Sequence, residues 1–174
     1  MIKINNSDLD YIKAQGILHY PNECCGVLVG KKEGNTKILI KVIATINDWD
    51  NQRDVLREMM DKPDYGKREN FAIAPETMLQ IQKEARGENL DIIGIYHSHP
   101  NHPAMPSEFD RAIAWEGYSY IIMSVVEKQI KELYCWQLRE NREFQLEKIT
   151  IWQCQKRTPV KFIKKKKPTE INGR

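Results

Sequence analysis

Apolar residues in the first quarter of the chain change from helical to extended spacing. Ser7 predicts a helix N-cap with Asp10 as its capping-box partner, and apolar positions between residues 9 and 17 recur at helical spacing. The apolar run GVLVG at 26–30 and the β-branched run KILIKVIATI at 37–46 follow, separated by the turn sequence KKEGNT. These two runs predict strands that pair with each other.

The second half of the chain continues this succession of helices and strands. PETMLQIQKEARG at 75–87 predicts a helix that Pro75 opens, and LDIIGIY at 90–96 predicts a strand buried on both faces. A further helix is predicted from about Ser107, and SYIIMSV, IKELYCWQL and EFQLEKITI predict three more strands. We therefore predict a mixed α/β domain in which helices flank a curved, mostly antiparallel sheet.

Two stretches depart from this pattern. Residues 47–70 are polar, mixed in charge and interrupted by Pro63 and Gly66, so we expect a surface insertion of the kind that often carries specificity. Residues 156–174 contain eight lysines or arginines and one acid, whereas the whole chain has a net charge of only +3. We predict a domain at 1–155 and a flexible basic tail at 156–174. Nucleic-acid binding by this tail is an alternative, but no interleaved aromatic residues support it.

Composition favours a single domain. A chain of 174 residues, 41% of them hydrophobic and 29% charged, can enclose one core. It has no apolar run of about 18 residues, and its start, MIKINNSDLD, lacks the features of a signal peptide. We therefore expect no membrane association and a cytoplasmic location. The four cysteines include no CxxC pair, so we expect reduced, mostly buried thiols rather than a cysteine-built zinc site.

Polar side chains in HSHPNHPAMPSEFD, residues 97–110, directly follow the buried strand. In an extended segment alternate side chains point the same way, so His97 and His99 can face one point. Two imidazoles make half of a zinc site, and Asp110 in the next helix is the candidate third ligand. Two alternatives stay open: the histidines can be hydrogen-bonded loop residues, and Ser107 with Asp110 can be a helix capping box.

A hydrolytic metal site also needs a base. Glu23, in PNECCGVLVG, comes just before a strand that must lie in the core. Burial and a nearby metal would then set the pKa of its carboxyl group. The alternative is that Glu23 has no catalytic role and is simply a polar residue at the turn between a helix and a strand.

Together these motifs resemble the JAMM (MPN+, Mov34/MPN/PAD-1) zinc metalloprotease family, most closely its small stand-alone prokaryotic members. The family signature is a glutamate in a P-x-E-x-C-G context, then H-[ST]-H-P, then a serine and an aspartate at fixed spacing. Glu23, residues 97–100, Ser107 and Asp110 match every element. The likeness covers roughly residues 7–140 and implies a fold similar to that of cytidine deaminases.

The resemblance implies a role for each matched residue. His97, His99 and Asp110 would bind one zinc ion, with a water molecule as fourth ligand. Glu23 would act as general base and then pass the proton to the leaving amine. Ser107 would donate a hydrogen bond to the oxyanion of the tetrahedral intermediate.

Three residues near these motifs have secondary interpretations. We expect the Ser98 hydroxyl to orient the ligand loop. His102 is expected at the rim of the cleft. Trp115 is expected to pack against the helix, with groove lining as the alternative. His102 and Trp115 are thus candidates for substrate contact.

The resemblance also implies a substrate class. Family members hydrolyse amide or isopeptide bonds beside the C-terminal Gly-Gly of ubiquitin or ubiquitin-like proteins, and small prokaryotic members resemble enzymes that act on ubiquitin-like sulfur carriers. We therefore expect a metallopeptidase whose partner is a sulfur-carrier adduct, held in part by residues 47–70. The alternatives are a metal-free MPN-type protein-binding scaffold and a peptidase on small-peptide or cell-wall substrates. The sequence does not indicate the oligomeric state.

Overall fold

The computed structural model describes residues 1–56 and 66–152, together with the backbone of residues 161–162. The helices are α1 (Asn6–His19), α2 (Trp49–Leu56), α3 (Pro75–Gly87) and α4 (Glu108–Ile113), with a 3₁₀ turn at Gly66–Arg68. The strands are β1 (Ile2–Ile4), β2 (Cys25–Glu33), β3 (Thr36–Thr45), β4 (Asp91–Pro100), β5 (Ser119–Val126), β6 (Gln129–Leu138), β7 (Phe144–Leu146), β8 (Ile149–Ile151) and β9 (Lys161–Phe162).

Within the described residues the strands form one nine-stranded sheet in the order β7-β6-β5-β4-β2-β3-β1-β8, with β9 paired to β3. The pairs β2–β3, β2–β4, β5–β6 and β6–β7 are antiparallel. The β4–β5 pair is parallel over seven residue positions, and the parallel pairs made by β1 and β9 are short. The predicted mixed α/β fold with a mostly antiparallel sheet is confirmed.

Helices α1 and α3 pack on opposite faces of this sheet. Ile12 of α1 belongs to a buried cluster with Leu28 and Met123. Ile81 of α3 belongs to a second cluster with Val27. Because successive residues of a strand point to opposite faces, Val27 and Leu28 show that β2 is covered on both sides. The predicted helix at 75–87 and the predicted buried strand after it are confirmed.

Helix α1 begins earlier than predicted. Asn5 is its N-cap: the Asn5 side-chain oxygen accepts a hydrogen bond of 2.8 Å from the Asp8 backbone N–H. Ser7 lies within the first turn, so the predicted Ser7–Asp10 cap is wrong. Asn5 and Asp8 have the same three-residue spacing, and asparagine caps a helix as well as serine does.

The predicted strand EFQLEKITI is two strands at opposite edges of the sheet. β7 pairs with β6 and β8 pairs with β1, although only two residues separate them. Each residue spans at most about 3.6 Å, so the two sheet edges must approach each other and the sheet is curled. The prediction of one strand is corrected: Glu147, between β7 and β8, is buried, and its side chain binds Lys37 and Ser119 in the interior.

The ends of the predicted insertion 47–70 are tied to the rest of the fold. Trp49 is fully buried and contacts Phe109 edge-on, with ring centroids 5.4 Å apart. The Asn47 side chain donates to the backbone oxygens of Glu23 at 3.1 Å and Asn70 at 2.9 Å. Residues 57–65 lie outside the described residues. The segment therefore leaves and rejoins the fold beside Glu23.

Cys24, Cys25 and Cys135 are free and buried, as predicted, and Cys154 lies outside the described residues. Within the predicted basic tail, Lys161–Phe162 form β9, and the other tail residues lie outside the described part of the chain. Among the described helices, none combines the length and apolar character needed to cross a membrane.

Candidate metal centre

His97 and His99 lie at the end of β4 with their Nε2 atoms 2.9 Å apart. Both are buried and face the same side of the strand, because they are two residues apart. Ser98 points the other way, and its hydroxyl oxygen accepts a hydrogen bond of 2.9 Å from the Cys24 backbone N–H. The structure thus brings the two predicted imidazoles together, and Ser98 ties them to the segment that carries Glu23.

Asp110 of α4 lies beside both imidazoles. Its Oδ1 atom is 3.2 Å from His97 Nε2, and its Oδ2 atom is 3.7 Å from His99 Nε2. One ligand atom from each of these three residues lies within 4.8 Å of the others. The three predicted ligands therefore converge on one point.

A capping box at the start of α4 places Asp110. Asp110 Oδ2 accepts hydrogen bonds from the Ser107 backbone N–H at 2.7 Å and from the Ser107 hydroxyl at 2.6 Å. The Ser107 hydroxyl oxygen accepts one of 3.0 Å from the Asp110 N–H. The capping interpretation is confirmed, and it is compatible with metal binding because Oδ2 makes the cap while Oδ1 faces His97.

Neighbouring groups fix both imidazole rings. His99 Nδ1 lies 2.9 Å from the Pro103 backbone oxygen. A carbonyl oxygen can only accept, so Nδ1 carries the hydrogen and Nε2 of the neutral ring keeps its lone pair. His97 stacks on Phe71, with ring centroids 4.5 Å apart and planes 24° apart. Its buried Nδ1 has no hydrogen-bond partner among the described residues, whereas its Nε2 faces His99 and Asp110.

Burial and the neighbouring charges act in opposite directions on the pKa values of Asp110 and the two histidines. Burial alone would raise the pKa of Asp110, but the two imidazoles outweigh burial and hold that pKa well below its ordinary range. Burial lowers the pKa of His97, which favours its neutral form. Burial also acts to lower the pKa of His99, but the Asp110 carboxylate and the Pro103 carbonyl together outweigh burial and raise this pKa. An ionised carboxylate thus lies between two imidazoles.

This donor set fits a divalent metal ion. Two imidazole nitrogens and one carboxylate oxygen supply three ligands, the number that a catalytic zinc site takes from protein while a fourth position stays open. The hydrogen bond from His99 Nδ1 to a backbone carbonyl is the outer contact that metal-binding histidines usually make. His97, His99 and Asp110 can therefore hold a metal.

Glu23 lines the same cleft as His99 and Asp110. It precedes β2, in which Cys25 pairs with His97 across the sheet, so the strand register brings Glu23 to the ligands. Its side chain is buried. Burial raises the pKa of Glu23 well above its ordinary value, and the charges of Asp110 and Glu69 raise it further. The structure thus places a buried carboxyl group with a raised pKa beside the candidate ligands.

The cleft above these residues has a volume of about 290 Å³. The residues that line it are Glu23, Glu69, Asn70, Phe71, His99, His102, Pro103, Met105, Ser107, Phe109 and Asp110. His102 lies at its mouth, exposed, with Nε2 at 3.7 Å from Glu69 Oε1. Ser107 and His102 thus share the cleft with the candidate ligands.

Trp115 lies outside this cleft. Its side chain is 54% exposed and lines a mostly apolar groove of about 280 Å³. The groove shares Phe71 with the cleft, so the two are adjacent. Trp115 also contacts Tyr118 edge-on, with ring centroids 5.3 Å apart. Trp115 therefore both packs against a neighbour and lines a groove.

Two residues that position the site were missed from the sequence. Phe71 stacks on His97, and Asn47 holds the backbone of Glu23. Both come from the stretch around the predicted insertion, where no periodic pattern marks a buried or bonded position. The only available signal is the position of Asn47 at the end of a predicted strand, and this is also typical of ordinary turns.

Comparison with known proteins identifies relatives of this chain. Residues 7–139 match the family described as prokaryotic homologs of the JAB domain. A Haloferax volcanii protein named desampylase is 30% identical over 105 residues, which are 60% of this chain and 63% of that protein. A Pyrococcus furiosus desampylase is 30% identical over 129 residues, 74% of this chain and 76% of that protein. The chain therefore spans less than two thirds of the Haloferax relative.

Solved structures share the fold. A solution structure from Desulfitobacterium hafniense superposes with a TM-score of 0.66 at 24% identity and covers 88% of this chain and 94% of its own. One from Salinibacter ruber gives a TM-score of 0.62 at 26% identity, with coverage of 89% and 94%. The curled sheet is therefore common to these proteins. Because the JAB match spans most of the chain and the convergent residues are those of the JAMM signature, this chain belongs to the prokaryotic JAB-domain family of the JAMM/MPN class.

Proposed function

We propose that this chain is a zinc-dependent metallopeptidase of the JAMM type. Its reaction is hydrolysis of an amide or isopeptide bond after the C-terminal Gly-Gly of a ubiquitin-like protein. The observation that carries this proposal is the convergence of His97, His99 and Asp110 on a cleft that Glu23 also lines. Three metal ligands and a nearby buried carboxyl group are the parts that metal-assisted hydrolysis requires.

Zinc is the proposed ion because two imidazoles and a carboxylate suit it. When bound, zinc supplies Lewis-acid chemistry that lowers the pKa of a water molecule toward about 7. The protein keeps the three ligands oriented through the Phe71 ring, the Pro103 carbonyl and the Ser107 hydroxyl. Such outer contacts hold a donor set ready for the ion.

Glu23 is the proposed general base. Its carboxylate takes a proton from the attacking water and then delivers it to the leaving amine. Burial raises its pKa well above the ordinary glutamate value, and a raised pKa suits a group that must both take and give a proton. Its backbone is held on both sides, because the Glu23 N–H donates to the Lys67 oxygen at 2.7 Å and its oxygen accepts from Asn47 at 3.1 Å.

Ser107 is proposed to stabilise the oxyanion. Its hydroxyl has one hydrogen, which is donated to Asp110 Oδ2 in this structure. Donation to the substrate therefore requires the hydroxyl to rotate, while the Ser107 backbone N–H keeps the cap on Asp110. A hydrogen bond of this kind lowers a reaction barrier by about 3 kcal/mol.

The proposed substrate is an adduct of a ubiquitin-like sulfur carrier in the cytoplasm. Two relatives are named desampylase, and we extend that class of activity to this chain. Glycines at the end of the carrier suit a small cleft because they bring no side chains. The adjoining apolar groove, with Val55 and Trp115 on its walls, is where we place the apolar surface of the carrier.

Hydrolysis of a defined carrier adduct tests this proposal. The substrate is a ubiquitin-like sulfur carrier whose terminal Gly-Gly is joined to an amine. It is incubated with the zinc-loaded chain, and the products are identified by mass spectrometry. We expect cleavage after the second glycine. We expect Glu23→Gln to retain its fold and metal but to lower kcat by about 10²- to 10⁴-fold. The exposed Glu116→Gln provides the matched control.

Other results would redirect the assignment. Full activity in Glu23→Gln would exclude Glu23 as the base. Carrier binding without hydrolysis would favour the scaffold function. Cleavage of short peptides with no need for a carrier would favour a small-peptide or cell-wall peptidase.

A further inference from the structure

Ala104, in the loop between the candidate ligands His99 and Asp110, is held by two side chains of β6. Ala104 lies in the proline-rich stretch between β4 and α4 and is fully buried. Its backbone N–H donates a hydrogen bond of 3.1 Å to Glu132 Oε2, and its backbone oxygen accepts one of 3.0 Å from Trp136 Nε1. Both polar groups of one loop residue are therefore satisfied by side chains of β6.

The peptide group before Ala104 connects this contact to a candidate ligand. The Pro103 carbonyl and the Ala104 N–H belong to the same peptide unit. Its oxygen accepts the hydrogen bond of 2.9 Å from His99 Nδ1, while its N–H donates to Glu132. A carboxylate at the N–H end of a peptide polarises the unit and makes its oxygen a stronger acceptor. The charge of Glu132 is thus transmitted to the His99 ring.

The strand register supports this connection. His99 pairs with Ser124 of β5, and Ser124 pairs with Glu132 of β6. Directly opposed residues of neighbouring strands point to the same face, so His99 and Glu132 lie on one side of the sheet. Trp136 is four residues after Glu132 and faces that side as well. The pairing of β4, β5 and β6 therefore places Glu132 and Trp136 on the same side of the sheet as His99.

We propose that Glu132 and Trp136 are positioning residues for the metal ligand His99, acting through the Pro103–Ala104 peptide. Glu132 strengthens the acceptor that keeps the hydrogen on His99 Nδ1, and Trp136 fixes the plane of the next peptide. Together they leave His99 Nε2 with its lone pair directed at His97 and Asp110. This inference rests on the proposed function, because Glu132 and Trp136 position a residue that is itself a proposed metal ligand.

Metal affinity tests the proposal directly. Metal-free protein is titrated with Zn²⁺ in competition with a chromophoric chelator, for the wild type, Glu132→Ala, Glu132→Gln and Trp136→Phe. We expect Glu132→Ala to bind zinc about 10- to 100-fold more weakly, as for the loss of other outer contacts of metal-binding histidines. Glu132→Gln keeps an oxygen acceptor without the charge, so its affinity for zinc should lie between that of the wild type and that of Glu132→Ala. Trp136→Phe should also weaken binding, because it keeps an aromatic ring but loses the indole N–H that donates to the Ala104 oxygen.

The matched control is Glu140→Ala, which removes an exposed glutamate just beyond β6. Its affinity for zinc should equal that of the wild type. The proposal is overturned if Glu132→Ala binds zinc as tightly as Glu140→Ala while both remain folded by circular dichroism.

A second readout does not depend on the metal. In metal-free, ¹⁵N-labelled protein, NMR of the histidine rings reports which His99 nitrogen carries the hydrogen. We expect Nδ1–H in the wild type and a shift of population toward Nε2–H in Glu132→Ala. Nε2–H in the wild type would overturn the inference. If the wild type binds no zinc but shows the expected tautomer shift, the proposed function fails and the positioning role of Glu132 stands.

Discussion

Asp110 divides its two carboxylate oxygens between fold and site. Oδ2 accepts both hydrogen bonds from Ser107 and so fixes the start of α4, while Oδ1 faces His97 at 3.2 Å. One helix cap therefore also sets the direction of a ligand. The same Ser107 hydroxyl is the proposed oxyanion donor, so a structural and a catalytic function meet at one oxygen atom.

Ser107→Ala removes both functions, and measurements of stability and of activity distinguish them. Ser107→Ala loses the side-chain cap, which should lower the free energy of unfolding by about 1 kcal/mol. It also loses the proposed oxyanion donor, so kcat should fall by about 10²- to 10³-fold. Urea denaturation and steady-state kinetics measure the two effects, and Ser107→Thr, which keeps a hydroxyl, is the control. A loss of stability with an unchanged kcat would leave Ser107 with the cap alone.

The site residues differ in how far sequence could predict them. His97, His99 and Asp110 belong to short local patterns, a strand end and a helix start, whose geometry is fixed by neighbours in sequence. Phe71 and Asn47 act on His97 and Glu23 across 26 and 24 positions respectively, and only tertiary packing brings them there. The prediction of Ser7 as the cap was wrong for a different, local reason, because two equivalent three-residue patterns overlap at the start of α1.

At the scale of elements, the contact between β4 and β5 determines where the histidine segment lies. Gly94 of β4 pairs with Ser119 of β5 at the start of this parallel ladder. A Cβ atom at Gly94 would lie 2.1 Å from the Ser119 backbone oxygen. The two strands can approach this closely only because residue 94 has no side chain.

Gly94→Ala should therefore destabilise the protein. The added methyl group meets backbone, which cannot move aside as a side chain would, so we expect a loss of about 1–3 kcal/mol in the free energy of unfolding. Urea denaturation measures it. Gly87→Ala at the end of α3 is the control, because no atom lies within 4 Å of a Cβ atom there. Equal stability of the two variants would show that β4 and β5 can separate without loss.

Long elements could be predicted and short ones could not. The helix at Pro75–Gly87 and the strand at Asp91–Pro100 carry several apolar positions each, so their periodicity is clear. β1 has only three residues, too few for a period to appear. Phe144–Leu146 and Ile149–Ile151 are hard to separate in the sequence because only Glu147 and Lys148 lie between their apolar positions, and the burial of Glu147 depends on distant partners.

At the scale of the whole molecule, a buried polar cluster holds the curled sheet together. Glu147 lies between the two edge strands and forms an ion pair of 3.1 Å with Lys37 of β3. Lys37 also donates to the Ser119 hydroxyl at 2.9 Å, and Ser119 donates to Glu147. Strands from both halves of the sheet thus contribute to one cluster. Breaking such a pair leaves a buried charge without its partner.

Glu147→Gln should destabilise the fold in a pH-dependent manner. Burial alone would raise the pKa of Glu147, but Ser119 and Lys37 outweigh it and lower the pKa. A lowered pKa contributes stability above the ordinary glutamate pKa of about 4.3, and this contribution is lost as pH falls through the lower folded value. We expect a loss of about 3–5 kcal/mol at pH 7 that shrinks in strong acid.

Urea denaturation of the wild type and Glu147→Gln across this pH range measures the effect. The control is Glu143→Gln, an exposed glutamate just before β7 that should change stability by less than about 0.5 kcal/mol. A stability difference that stays constant from neutral to acid pH would contradict the assigned ion pair.

Metal content of the purified protein shows directly whether His97, His99 and Asp110 bind a metal ion. Purified wild type, His97→Ala/His99→Ala and the control His19→Ala are analysed by inductively coupled plasma mass spectrometry after dialysis with zinc. We predict about one zinc ion per chain in the wild type and in His19→Ala, and none in the double variant, since two of three ligands are then missing. If folded wild type bound no metal when zinc was supplied, these residues would not form a metal centre, and the convergent side chains would only be a hydrogen-bonded cap of α4.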